Sequence, residues 1–157
     1  MRANWFEVKI KCTRVGEDGR ERKITESYLL DAVSYSDAEK RVIEVMNERT
    51  REEFNIVSLK PSRITEVVES KNKDHDKWFR GTVDIIDVDG ISGRERKQKT
   101  RFLVAGSDMD SALANLQKAV EPYVVPNEIV SLQDTTFVDV IPYFNEENSE
   151  DNEVRTE

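Results

Sequence analysis

The side chains best suited to chemistry in this chain are its cations. The pentapeptide Gly19-Arg-Glu-Arg-Lys23 recurs unchanged as Gly93-Arg-Glu-Arg-Lys97, and both copies lie beside Gly-containing turn sequences. Guanidinium and ammonium groups recognise phosphates and carboxylates, so Arg22, Lys23, Arg96 and Lys97 are candidate counter-charges for an anionic partner. The first copy sits among Glu17, Asp18 and Glu21 and is locally neutral, whereas the second gathers Arg94, Arg96, Lys97, Lys99 and Arg101 against Asp89 and Glu95. The second is therefore the better candidate for nucleic-acid or partner contact. The competing account is a solvated hairpin whose charges pair across strands.

Aromatic rings come next. Trp5-Phe6 is echoed by Trp78-Phe79, and strand alternation sends one ring of each pair inward and the other outward. Trp5 and Trp78 are thus candidates to stack on a base or grip a partner, against the plainer role of filling a seam between repeats. The single histidine, His75, lies between Asp74 and Asp76 in a charged segment and lacks the converging partners of a general base or metal ligand. Asp84, Asp87 and Asp89 hint at a cation loop but lack the spacing and terminal Glu of an EF-hand. Gly90 and Gly93 fit neither phosphate-cradling glycine motif. The lone Cys12 excludes an internal disulfide. No catalytic set, metal site or cofactor site is expected. Carboxylates alone can support hydrolysis, but nothing selects a pair of them.

The chain that must position these groups has 157 residues, 36% of them charged and 37% hydrophobic, with a formal charge of -8. That is enough for one domain or two small halves. No apolar run is long enough to span a bilayer, neither helical segment carries a dense basic face for a membrane surface, and Met-Arg-Ala-Asn-Trp-Phe lacks the apolar core of a signal peptide. A cytoplasmic protein with no membrane contact is expected. Residues 145–157 hold six acidic residues, one Arg and one large apolar residue, so they are expected to form a disordered acidic tail. Most of the net negative charge belongs to that tail, and the body is close to balanced.

Three matches lie near one diagonal. Trp5-Phe6 and Trp78-Phe79 are 73 residues apart, the GRERK pair 74, and Ile56-Val-Ser-Leu59 recurs as Ile129-Val-Ser-Leu132 at 73. The reading is an internal duplication: repeat 1 over 1–69, a charged linker over 70–77, repeat 2 over 78–144. In each repeat, alternating residues such as Phe6, Val8, Ile10 and Cys12 predict a strand that turns back on itself. Ser36-Asp-Ala-Glu39 reads as a capping box opening a helix with the stripe Ala38, Val42, Val45 and Met46. Asp108 or Asp110 would cap its counterpart, which carries Ala112, Leu116 and Val120 and stops at Pro122. Phe54 to Val68 predicts one long bent strand interrupted at Pro61, mirrored by Ile129 to Ile141. The expected fold class is α+β: two tandem ββαβ repeats, each an antiparallel sheet covered by one helix, packed pseudo-symmetrically.

The strand WFEVK, followed by Tyr28-Leu-Leu-Asp-Ala-Val-Ser-Tyr-Ser-Asp-Ala-Glu39, resembles a family of small uncharacterised proteins from Bacteroidetes and their bacteriophages, a domain of unknown function. Its signature departs from this chain at Leu30 and Asp37, and the resemblance spans residues 5–143. It implies a gut-bacterial or phage origin, hence a host cytosol if phage-encoded, and supplies no catalytic residues. The expected function is a non-enzymatic interaction module that binds a macromolecular partner, foremost a protein. The alternative is a nucleic-acid-binding accessory protein using the basic hairpin of repeat 2. A third idea makes the acidic tail a mimic of nucleic-acid charge. Oligomeric state is left open.

Overall fold

A computed structural model describes residues 4–142. In chain order these form β1 (Trp5–Val15), β2 (Glu21–Asp31), α1 (Tyr35–Arg49), β3 (Phe54–Pro61), β4 (Glu66–Val68), β5 (Lys77–Val88), β6 (Glu95–Gly106), α2 (Met109–Val120), β7 (Asn127–Asp134) and β8 (Phe137–Ile141). The class is α+β, with two helices and two four-stranded sheets among the described residues. The expected acidic tail falls outside them.

Both hairpins form because period-2 alternation gives each strand one apolar face. In β1, Phe6, Val8, Ile10 and Cys12 are buried beside Tyr28 and Leu30 of β2, with Phe6 opposite Leu30 and Cys12 opposite Ile24. In β5 and β6 the same face carries Phe79, Val83, Phe102 and Val104. Each turn closes on a glycine in the left-handed region, Gly19 at φ 76° and Gly93 at φ 68°, where a Cβ would be strained.

The helices sit against these faces through Ala38, Val42 and Met46 in α1 and Ala112, Leu116 and Val120 in α2. The start of α1 corrects the sequence reading by two residues. Ser34, not Ser36, is the cap: its hydroxyl accepts from the Asp37 amide at 3.1 Å, and the Asp37 carboxylate accepts from the Val33 amide at 3.0 Å. This reciprocal pair satisfies donors that the later start would leave open. Asp108 caps α2 in the same manner with Ser111, and the helix ends ahead of Pro122.

The sheets depart from the expected ββαβ units. Their strand orders are β3-β1-β2-β8 and β4-β6-β5-β7. Three strands of each sheet follow the sequence reading, with β1 and β5 central and antiparallel to both neighbours. The fourth strands do not. β3 and β4 are not one bent strand, since the chain leaves the first sheet after Pro61, and β4 joins β6 in parallel, Glu66 to Val68 beside Phe102 to Val104. β8 lies beside β2, in the sheet of the first half. One compact unit accordingly combines β1, β2, α1 and β3 with β8 from Asp139, while the other holds β4 to β7 and α2. A short segment after a proline takes whichever sheet edge its side chains can bury against, and Ile64 becomes buried in the second unit.

The repeated Ile-Val-Ser-Leu motif marks a β-bulge in each sheet. Ile56 pairs with Ile10 and Ser58 with Lys9, so Val57 is the extra residue; Val130 is its counterpart between Ile129 and Ser131. Both valines are exposed. A bulge twists an edge strand and spoils it as a template for further pairing.

Candidate functional site

The β5–β6 hairpin carries the cations singled out in the sequence, and strand geometry sorts them. Phe102 and Val104 fix the helix-side face of β6, so Arg96 falls on that side and Lys97, Lys99 and Arg101 line the other. Same-face residues on a strand are about 6.7 Å apart, and the three form a regular stripe. Lys97 and Lys99 are exposed and Arg101 is half-buried. Opposite them on β5 stand Ile86, Asp84 and Thr82. Asp84 is buried, and its Oδ1 has no hydrogen-bond partner among the described residues. None of Arg94, Arg96, Lys97, Lys99 and Arg101 is in an ion pair among the described residues. In the first hairpin Arg22 is tied to Asp18 at 3.4 Å, Lys23 faces Thr13 across the pair, and the positions matching Lys99 and Arg101 are Thr25 and Ser27.

The tip of the second hairpin is built by Asp89. Its carboxylate accepts from the Ile91 amide at 3.0 Å and the Ser92 hydroxyl at 2.9 Å, and those bonds hold its pKa below the usual carboxylate range. Asp89 is therefore a turn-former rather than part of a cation loop with Asp84 and Asp87. Ile91 stands wholly exposed at the tip, with Val88 beside it largely exposed.

The first unit holds a different polar group that the sequence reasoning misses. Glu26 lies on the helix-side face of β2 with its side chain 11% exposed. Arg14 donates to both its oxygens, from Nε at 2.9 Å and from an Nη at 3.3 Å, Tyr28 donates its hydroxyl, and the Cys12 thiol lies 3.7 Å from Oε1. Burial pushes the Glu26 carboxyl up, but the bonds from Arg14 and Tyr28 together with the Arg14 charge outweigh it, and the pKa lies below the ordinary value. Burial, reinforced by the carboxylate, pushes Tyr28 up to about 12 and raises the Cys12 thiol as well. A protonated, buried thiol is a poor nucleophile, so the cluster reads as structural. Arg49 of α1 stands 6.0 Å from the Tyr28 ring centre and pairs with Asp139 of β8 at 2.9 Å. The positions matching Cys12, Arg14, Glu26 and Tyr28 in the second unit are Ile85, Asp87, Thr100 and Phe102.

A family model described as Domain of unknown function (DUF4494) matches residues 4–143. The chain belongs to this family. No curated protein matches it.

In this family member Trp78 shares the stripe's face of the second sheet, opposite Ala105, while Trp5 and His75 stand outside that hairpin. Phe6 and Phe79 are the inward rings, and Trp5 and Trp78 are half-buried on the opposite faces of β1 and β5. His75 is held in a turn, its Nδ1 2.7 Å from the Ser70 hydroxyl and 3.2 Å from the Asn115 side-chain nitrogen, which also donates to the Ala105 carbonyl at 2.7 Å. This anchors the expected linker within the second unit. No group of three metal-ligating side chains occurs among the described residues, and no described helix is long and apolar enough to cross a membrane.

Proposed function

We propose that this protein is a non-enzymatic interaction module whose contact surface is the β5–β6 hairpin and whose partner is an anionic macromolecule, foremost a protein. The observation that carries the reading is the stripe of Lys97, Lys99 and Arg101, none of them in an ion pair among the described residues, in a hairpin whose counterpart carries neutral residues at two of the three places. Solvated cations on an exposed ribbon attract an anionic partner and raise its rate of encounter. The exposed Ile91 at the tip adds an apolar contact that favours a protein over a nucleic acid. The second reading, a nucleic-acid-binding accessory protein, draws on the same stripe, because evenly spaced cations suit a phosphate backbone.

Descent of the two halves from one duplicated ββαβ ancestor belongs to this reading; the three sequence matches and the repeated element order support it. An origin in Bacteroidetes or their phages rests on the Tyr28 to Glu39 signature, and action in the cytosol on the composition.

The test is binding of the full chain to polyglutamate and to single-stranded DNA across a salt series, with Lys97→Ala/Lys99→Ala alongside. Because Arg96 and Lys97 lie on opposite faces, this pair probes the stripe better than adjacent residues would. Binding that weakens steeply with salt, and about tenfold in the variant, is expected. Absence of binding to either polyanion at low salt overturns the reading.

A further inference from the structure

The outer edge of β6 is open where its cations are densest. On one side β6 pairs with β5 along its whole length, from Glu95 beside Val88 to Gly106 beside Lys77. On the other side β4 covers only Phe102 to Val104, and the Thr65 amide donates to the Arg101 carbonyl at 3.0 Å. From Glu95 to Thr100 no described strand lies on that side. Six residues of strand span about 20 Å, the length of an ordinary strand, and about half of their backbone N–H and C=O groups face outward.

Two other edges are treated differently. β3 and β7 each carry a bulge, at Val57 and Val130, which disrupts them as templates. The β6 edge carries no bulge in its pairing with β5. It carries cations instead: Lys97 and Lys99 on one face and Arg96 on the other. Such charges repel a second copy of the same edge, since pairing two copies would set Lys and Arg against Lys and Arg. They do not repel an acidic strand. A nucleic acid would use the charges but leave the row of amides and carbonyls unpaired, whereas an extended peptide uses both.

We propose that the Glu95 to Thr100 edge of β6 receives an extended acidic peptide segment as an added strand. Backbone bonds to the open edge supply affinity, and acidic residues at alternate positions meet Lys97 and Lys99. This rests on the hairpin being the contact surface and names the form of its partner.

The experiment uses the full chain and an alternating Glu-Thr octapeptide, with affinity read by fluorescence anisotropy and the geometry by amide hydrogen exchange. Strand addition slows exchange of the outward amides between Glu95 and Thr100 at saturating peptide, while those of β3 and β7 are unchanged. Lys97→Glu/Lys99→Glu is expected to lose the Glu-Thr peptide and gain a Lys-Thr peptide of the same length, an exchange of preference that an unfolded variant would not give. Binding without slowed exchange at these amides overturns strand addition and leaves the cationic contact surface standing. Failure to bind the peptide alongside salt-dependent binding of single-stranded DNA overturns the acidic-peptide partner in favour of nucleic acid. Failure to bind the peptide, polyglutamate or DNA overturns both proposals.

Discussion

At the scale of single residues, Glu26 ties the first unit to pH. Its folded pKa lies below the ordinary value, so the ionised form is the one the fold favours. The resulting stability is present above the carboxyl's unfolded pKa and is lost as pH falls through the folded one. Glu26→Gln removes the charge that Arg14 and Tyr28 address. It is expected to lower stability by about 1–3 kcal/mol at pH 7, with the deficit shrinking once the wild-type carboxyl is itself protonated. Urea midpoints of both proteins at pH 7 and pH 3 check this; a deficit equal at both would show that Glu26 acts through shape rather than charge. The signal for this cluster is present in the sequence, because Glu26 is in phase with Ile24, Tyr28 and Leu30 on a strand whose partner brings Cys12 and Arg14 to the same face. It is easily missed because an acid in an apolar phase reads as a break in the pattern. The cations are easier to see, since a pentapeptide repeated without change is conspicuous in the amino-acid order alone; which of them share a face depends on the position of Phe102.

At the scale of elements, alternation and helical spacing point to both hairpins and both helices, because each follows from a period that local sequence imposes. Boundaries are less legible: two serines, Ser34 and Ser36, precede α1, and only the reciprocal bonds of Ser34 and Asp37 decide between them. Ser34→Ala is expected to cost about 1 kcal/mol and Ser36→Ala much less, as comparison of their thermal unfolding would show. β4 is the least legible element. Three residues are too few to display a period, and nothing local says which sheet a strand that short will join.

At the scale of the whole molecule, sheet membership follows contacts between segments far apart in sequence, which leave no periodic mark. The first unit depends on β8, through the Arg49–Asp139 ion pair, the Arg41 bond to the Pro142 carbonyl at 3.1 Å, and the burial of Ile141. A chain ending after Thr136 is therefore expected to lose amide protection in β2 and α1 while α2 stays protected, and hydrogen exchange on the truncated and full chains would show it. Equal protection of α1 in both would mean that β8 adds little. The same dependence acts during synthesis. β2 ends at Asp31 and β8 begins at Phe137, so at about 5–20 residues per second the ribosome leaves the nascent first sheet without its last strand for several seconds or more. In that interval the flank of β2 is available to any passing chain, and a chaperone that shields it would raise the yield of native protein.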